Sequence, residues 1–346
     1  MKKLRMGVVG VNMGKGHALG FHSHPSAEVV ALCDVDETRL NNLADELDVP
    51  DRYLDAYEMF NKANIDAVGI AVPNKFHAPM TIAALKKGLH VLCEKPMAMS
   101  VAEAKRMNAA AAKAGRNLMI DFSHRFTDTA SALKRQVETG ALGNIYFGRS
   151  TWHRRRGLPG FGGWFGVKEL SGGGPLVDLG VHMLDLAMWF MDYPEPVSVS
   201  GSIYSEIAPN LARKERKKYD VEDLACGLVK FANGATLIVE SSWAINMEPR
   251  ESIATTLCGD KGGLSYRHTQ EGWEGEIYSD EKGDLYTKKL DKRIGPTPSA
   301  YHDFIDSILE KRPPLATGDH GLKAMKIIEG IYRSAQTKKE IRYRPE

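Results

Sequence analysis

Leu4-Arg-Met-Gly-Val-Val-Gly10-Val-Asn-Met-Gly14-Lys-Gly16 decides the fold. A short apolar run breaks into glycines, and a helical segment over 14–23 follows. Glycine is needed where backbone approaches a phosphate closely, and the N–H groups and dipole of a following helix favour an anion. The pattern departs from G-x-G-x-x-G, with Asn12 at the second glycine position and the loop one residue short. An ordinary strand-to-helix turn accounts for the glycines alone. Asp34 sharpens the reading, because it ends the next apolar run, 29–33, 20 residues beyond Gly14. A carboxylate there accepts hydrogen bonds from ribose hydroxyls and repels a 2′-phosphate. NAD is therefore expected over NADP, with Asp36 adding to the repulsion and Arg39 as the cation that would offset it.

The same grammar continues outward. Leu40, Leu43, Ala44 and Leu47 make one helix face. Runs over 65–72, 91–93 and 118–121 read as strands, separated by helices over 77–87, stopped by Gly88, and 100–115. Ser100 and Glu103 form a capping box at the start of the latter. Strands alternating with helices, without hairpin turns, predict a doubly wound parallel sheet. After about residue 121 the pattern changes. Helices are expected over 129–138, 175–191, 300–309 and 318–335, and strands over 197–204, 224–231, 236–243 and 252–257. Asn233-Gly234 is a hairpin signal between two of these strands. The second half is therefore expected to be α+β, with a mostly antiparallel sheet, and the domains are set at 1–123 and 124–346.

The chain has 346 residues, enough for two domains. Its charge is 46 − 44 = +2, which gives no basis for a nucleic-acid partner. Cys33, Cys93, Cys226 and Cys258 are scattered, with no C-x-x-C pair, so neither a metal cluster nor a disulfide framework is expected. No apolar run approaches the ~20 residues of a membrane span, and the short run at the N-terminus reads as a strand rather than a signal segment. A cytoplasmic protein without a membrane partner is expected.

Two stretches carry chemistry. Glu94-Lys95-Pro96 follows the 91–93 strand, and open α/β sheets bind ligands beyond the carboxyl ends of their strands. By residue type alone, Lys95 also reads as a surface lysine. In Gly172-Gly-Gly-Pro-Leu-Val-Asp178-Leu-Gly-Val-His182, Asp178 and His182 are four apart and share a helix face, which Asp185 extends. Imidazole, which titrates near ~6.5 when unperturbed, suits a general base; a structural Asp–His pair is the alternative.

These motifs resemble the Gfo/Idh/MocA family of oxidoreductases. The resemblance rests on the glycine loop with His17, Val72-Pro-Asn-Lys-Phe-His77, Glu94-Lys-Pro96, Phe122-Ser-His-Arg125-Phe and the Gly172–His182 stretch. Val221-Glu-Asp-Leu and Asn233-Gly-Ala also match. It implies an N-terminal Rossmann domain and a C-terminal domain whose large open sheet makes a homodimer or homotetramer. It assigns catalysis to Lys95, Asp178 and His182, and NAD binding to Gly10, Asn12, Met13, Gly14, Asp34, Arg39, Pro73, Asn74, His77, Glu94 and Lys95. Arg125, Arg156 and Trp164 are the expected substrate contacts; a subunit contact is the competing use for the arginines around 156. The implied activity is hydride transfer between NAD and a secondary hydroxyl of a sugar, cyclitol or related polyol. A redox-neutral NAD-dependent glycosidase and a non-catalytic dinucleotide-binding regulator are the alternatives.

Overall fold

The computed structural model describes residues 3–290 and 299–344. Packing of the chain divides it into two units, Met1–Phe122 with Pro298–Leu322, and Ser123–Thr297 with Lys323–Glu346. The division expected from sequence gives 298–322 to the second half; in the structure this segment packs with the first.

The first unit holds six parallel strands: β1 (Leu4–Val9), β2 (Ala27–Cys33), β3 (Asp51–Tyr53), β4 (Ala67–Ile70), β5 (His90–Cys93) and β6 (Leu118–Ile120). Their order is β3-β2-β1-β4-β5-β6. Central strands of such a sheet are covered on both faces and read as unbroken apolar runs; every residue of the central β4 is buried. Helices α1 (Lys15–His22), α2 (Glu37–Glu46), α3 (Ala56–Lys62), α4 (His77–Lys86) and α5 (Val101–Ala114) connect them. Ser100 caps α5 as its sequence requires, accepting from Glu103 N at 3.2 Å, while Glu103 reaches back to Met99 N rather than to Ser100. The helix Ala300–Leu309 completes this unit: Tyr301 and Phe304 pack on Phe21 of α1 with ring centroids 5.9 and 6.1 Å away.

The second unit carries a nine-stranded sheet of β7 (Ile145–Arg154), β8 (Pro196–Tyr204), β9 (Leu224–Phe231), β10 (Thr236–Ser242), β11 (Glu251–Gly259), β12 (Gly262–Thr269), β13 (Gly272–Glu281), β14 (Asp284–Leu290) and β15 (Ile341–Arg342). Its order is β14-β13-β12-β11-β7-β10-β9-β8-β15, antiparallel except where β10 pairs with β7. Asn233-Gly234 does turn β9 into β10, with Gly234 at φ +85°. The helix Val181–Phe190 packs on β7 and β11. Strand β9 shows the alternation of a sheet covered on one face, with Ala225, Val229 and Phe231 buried and Leu228 and Lys230 exposed.

Candidate active site

The glycine loop leaves β1 at Gly10. There φ is +84°, and a Cβ would lie 2.2 Å from the Ala71 carbonyl oxygen; at Gly14 it would lie 2.4 Å from the Gly10 carbonyl oxygen. The departure from the usual spacing thus leaves both crowded positions glycine. Asn12 and Met13 form an exposed tip. A bare loop followed by a helix N-terminus fits the diphosphate of a dinucleotide.

Asp34 is buried, its Oδ2 accepting from Val11 N at 2.8 Å and its Oδ1 from Asp36 N at 2.9 Å. It therefore ties the loop to β2. A carboxylate offers about four acceptor sites, so capacity remains for ribose hydroxyls. Arg39 lies 3.7 Å from Asp34 Oδ1 and 3.1 Å from Asp36 Oδ2, between two carboxylates. A 2′-phosphate would meet those acids, and juxtaposed like charges cost several kcal/mol. NAD is accordingly expected to exceed NADP in kcat/KM by about tenfold or more; assaying one substrate with both cofactors tests this, and a preference for NADP would show Arg39 released to the phosphate.

Pro73 precedes the short turn Asn74–Phe76 at the carboxyl end of β4, and Asn74 is buried. His77 differs from expectation. Its ring nitrogens lie 2.7 and 2.8 Å from the Pro96 and Val72 carbonyl oxygens, and it is 1% exposed. It braces two loops instead of lining a cofactor surface, and burial lowers its pKa. Glu94 is likewise engaged within the protein. Its Oε1 is 3.1 Å from His17 Nε2, and Asp121 Oδ2 lies 3.4 Å from the same nitrogen. Burial alone would lower the His17 pKa, but hydrogen bonds and charges from Asp121 and Glu94 carry it up to about 9. Lys95, half-buried, follows Glu94, whose Oε2 accepts the Lys95 N–H at 3.3 Å.

In the second unit the expected uniform helix over 175–191 is two pieces: a π turn, Leu176–Gly180, running into the α-helix Val181–Phe190. Such turns recur at functional sites. Asp178 lies on the π turn, and its Oδ2 accepts from Trp243 Nε1 at 3.0 Å. His182 begins the next turn, with the ring of His124 4.9 Å away and that of Trp152 5.8 Å away. Trp243 carries no local sequence signal, being 65 residues from Asp178. Asp185 does not join this group. It is buried against Arg125, whose Nε and Nη2 donate to it at 2.8 and 2.6 Å. Arg125 itself is 0% exposed, so the expected substrate contact is a structural ion pair; a buried guanidinium needs such a partner. Arg156 is exposed but holds the loop after β10, donating to Asn246 Oδ1 at 2.8 Å and to the Ile245 carbonyl at 3.3 Å. Trp164 stacks on Phe165 at 3.9 Å.

Comparison with known proteins agrees with this architecture. Residues 4–122 match the model of an oxidoreductase family's NAD-binding Rossmann fold, and residues 134–343 match the same family's C-terminal alpha/beta domain. The chain is 33% identical to D-glucoside 3-dehydrogenase of Escherichia coli, with 96% of each chain covered. It is 27% identical to myo-inositol 2-dehydrogenase of Thermotoga maritima, with 98% of each covered. The crystal structure of an aldose-aldose oxidoreductase from Caulobacter crescentus matches with a TM-score of 0.83 and 27% identity, over 99% of this chain and 100% of that one. With both family domains matched over most of its length, the chain belongs to the Gfo/Idh/MocA family of NAD(P)-dependent oxidoreductases acting on CH–OH groups.

Proposed function

We propose that the substrate is a pyranose sugar or glycoside, oxidised to the ketone at a secondary ring hydroxyl. His182, four residues after an Asp178 held by Trp243 and packed against the Trp152 ring, carries the reading, and the likeness to a glucoside dehydrogenase over 96% of both chains supports the substrate class. Bound NAD supplies the hydride acceptor. His182 takes the hydroxyl proton as the carbon loses its hydride. Lys95 donates a hydrogen bond to that oxygen and stabilises its developing negative charge. Asp178 holds a neighbouring hydroxyl and orients His182. Gly10, Gly14 and Asp34 hold the dinucleotide, and Trp164 offers an aromatic face to the sugar. A panel of alkyl glucosides, free hexoses and inositols with NAD tests this, read as NADH absorbance. Net NADH from a pyranoside is the expected result. Aglycone release without net NADH would replace it by the redox-neutral glycosidase, and binding without either product by the regulator.

The open face of the second unit's sheet supports self-association of a protein working in the cytoplasm. Tyr204 and Leu228 are exposed on this face, and exposed apolar surface of this kind marks interaction sites. Light scattering is expected to give a homodimer or homotetramer, and Leu228→Asp to shift it towards monomer. A wild-type monomer at micromolar concentration would refute this.

A further inference from the structure

Glu222 is buried at the entrance to β9, a carboxyl group for which the chemistry above has no use. Its partners are specific. Oε2 accepts from Gly174 N at 2.9 Å, Oε1 from Leu176 N at 3.3 Å, and Oε1 also from the Tyr332 hydroxyl at 2.8 Å. The residue between the two backbone donors is Pro175, which has no N–H to give. One carboxylate thus gathers the backbone N–H groups that open the turn carrying Asp178.

The glycine run is explained by the same contact. A Cβ on Gly174 would lie 2.1 Å from the Glu222 carbonyl oxygen and 3.1 Å from its carboxyl carbon. On Gly173 it would lie 2.0 Å from the Tyr332 hydroxyl oxygen. No side chain fits where Glu222 and Tyr332 approach. The far end of the turn is tied to the same dipeptide. Asp223 O accepts from Trp243 N at 3.0 Å, and the Trp243 indole donates to Asp178. Tyr219 fixes the backbone further, its hydroxyl donating to the Glu222 carbonyl at 2.9 Å.

We infer that Glu222 is a positioning residue: its carboxylate clamps the start of the 174–180 turn and so sets where Asp178 and His182 project. The inference rests on the site assignment above, and its test separates the two. In Glu222→Gln the side chain keeps its shape, but an amide NH2 must confront one of the clamped N–H groups. Hydrogen exchange of 174–182 is expected to quicken about tenfold, with the first unit unchanged, because local opening follows lost hydrogen bonds. The Trp243 indole N–H resonance shifts with it. These two readouts decide the clamp whether or not a substrate has been found, so a wild type silent on every sugar sinks only the functional reading. On a sugar that the wild type oxidises, kcat falls about tenfold or more while the Kd for NAD holds, since small misplacements of catalytic groups are costly. Unchanged exchange in 174–182, or global loosening with wild-type kcat in the folded fraction, overturns the proposal. Should Glu222→Gln not fold, Tyr332→Phe decides: about two- to threefold faster exchange confined to 174–182 supports the clamp, and wild-type exchange there overturns it.

Discussion

Replacing His182 by alanine is expected to lower kcat by about 10²–10⁴-fold, the range for a positioned acid–base group. The loss should fall on turnover rather than on cofactor affinity. Gly10, Gly14 and Asp34 belong to the first unit, and His182 to the second. A packing role forecasts otherwise. His182 touches the rings of His124 and Trp152, so a merely structural histidine would lower Tm and leave the folded fraction active. Tm and kcat measured on the same samples separate the two. Near-normal turnover in well-folded His182→Ala would remove this residue from the chemistry and leave Lys95 as the proton-transfer candidate.

His17 makes the second large effect, on stability. Its imidazole is fully buried between Glu94 and Asp121, with a pKa raised from 6.5 to about 9. The folded state therefore holds this proton more tightly than the unfolded chain. The resulting stability is complete below pH 6.5 and is lost as pH rises through about 9. A pKa difference of about 2.5 is worth about 3 kcal/mol at ~1.36 kcal/mol per pH unit. The melting transition of the first unit should fall by about 5–10 °C between neutral and strongly alkaline pH. His17→Gln should melt lower at neutral pH, because a buried ion pair stripped of one partner costs about 3–5 kcal/mol, and its melting should be flatter across the same range. Parallel slopes for wild type and variant would show that His17 is not the group titrating.

The first unit was legible because its strands are buried on both faces and its helices carry local stop and start signals, such as Ser100 and Gly115. Gly115 sits at φ +60°, where its sequence position requires a left-handed cap. β3 and α3 escaped, being three and seven residues long, too short for a periodic signal. In the second unit β12 to β14 escaped for a different reason. Their charges interrupt the apolar alternation, and only the folded sheet shows why: Arg267 pairs across strands with Glu274 and Glu276 at 3.0 and 2.7 Å, and Lys289 with Glu274 at 3.0 Å. Among the site residues, Lys95, Asp178 and His182 stand in motifs, and Glu222 in the Val221-Glu-Asp-Leu match. What Glu222 and Trp243 act on lies 48 and 65 positions away, a distance that no local pattern encodes. Arg125 misled because an arginine in a motif looks available until Asp185, 60 residues on, is seen to hold it.

The return of residues 298–322 to the first unit has a consequence for synthesis. Phe21 and His17 of α1 are covered by Tyr301 and Phe304, and Ile120 N donates to the Ala316 carbonyl at 2.9 Å beside the edge strand β6. A ribosome that has released the first 122 residues has therefore released an unfinished domain. Its helix face and sheet edge stay uncovered while most of the nine-stranded sheet is translated. An NAD-binding half excised at residue 122 is therefore expected to stay incompletely folded until residues 299–322 are supplied.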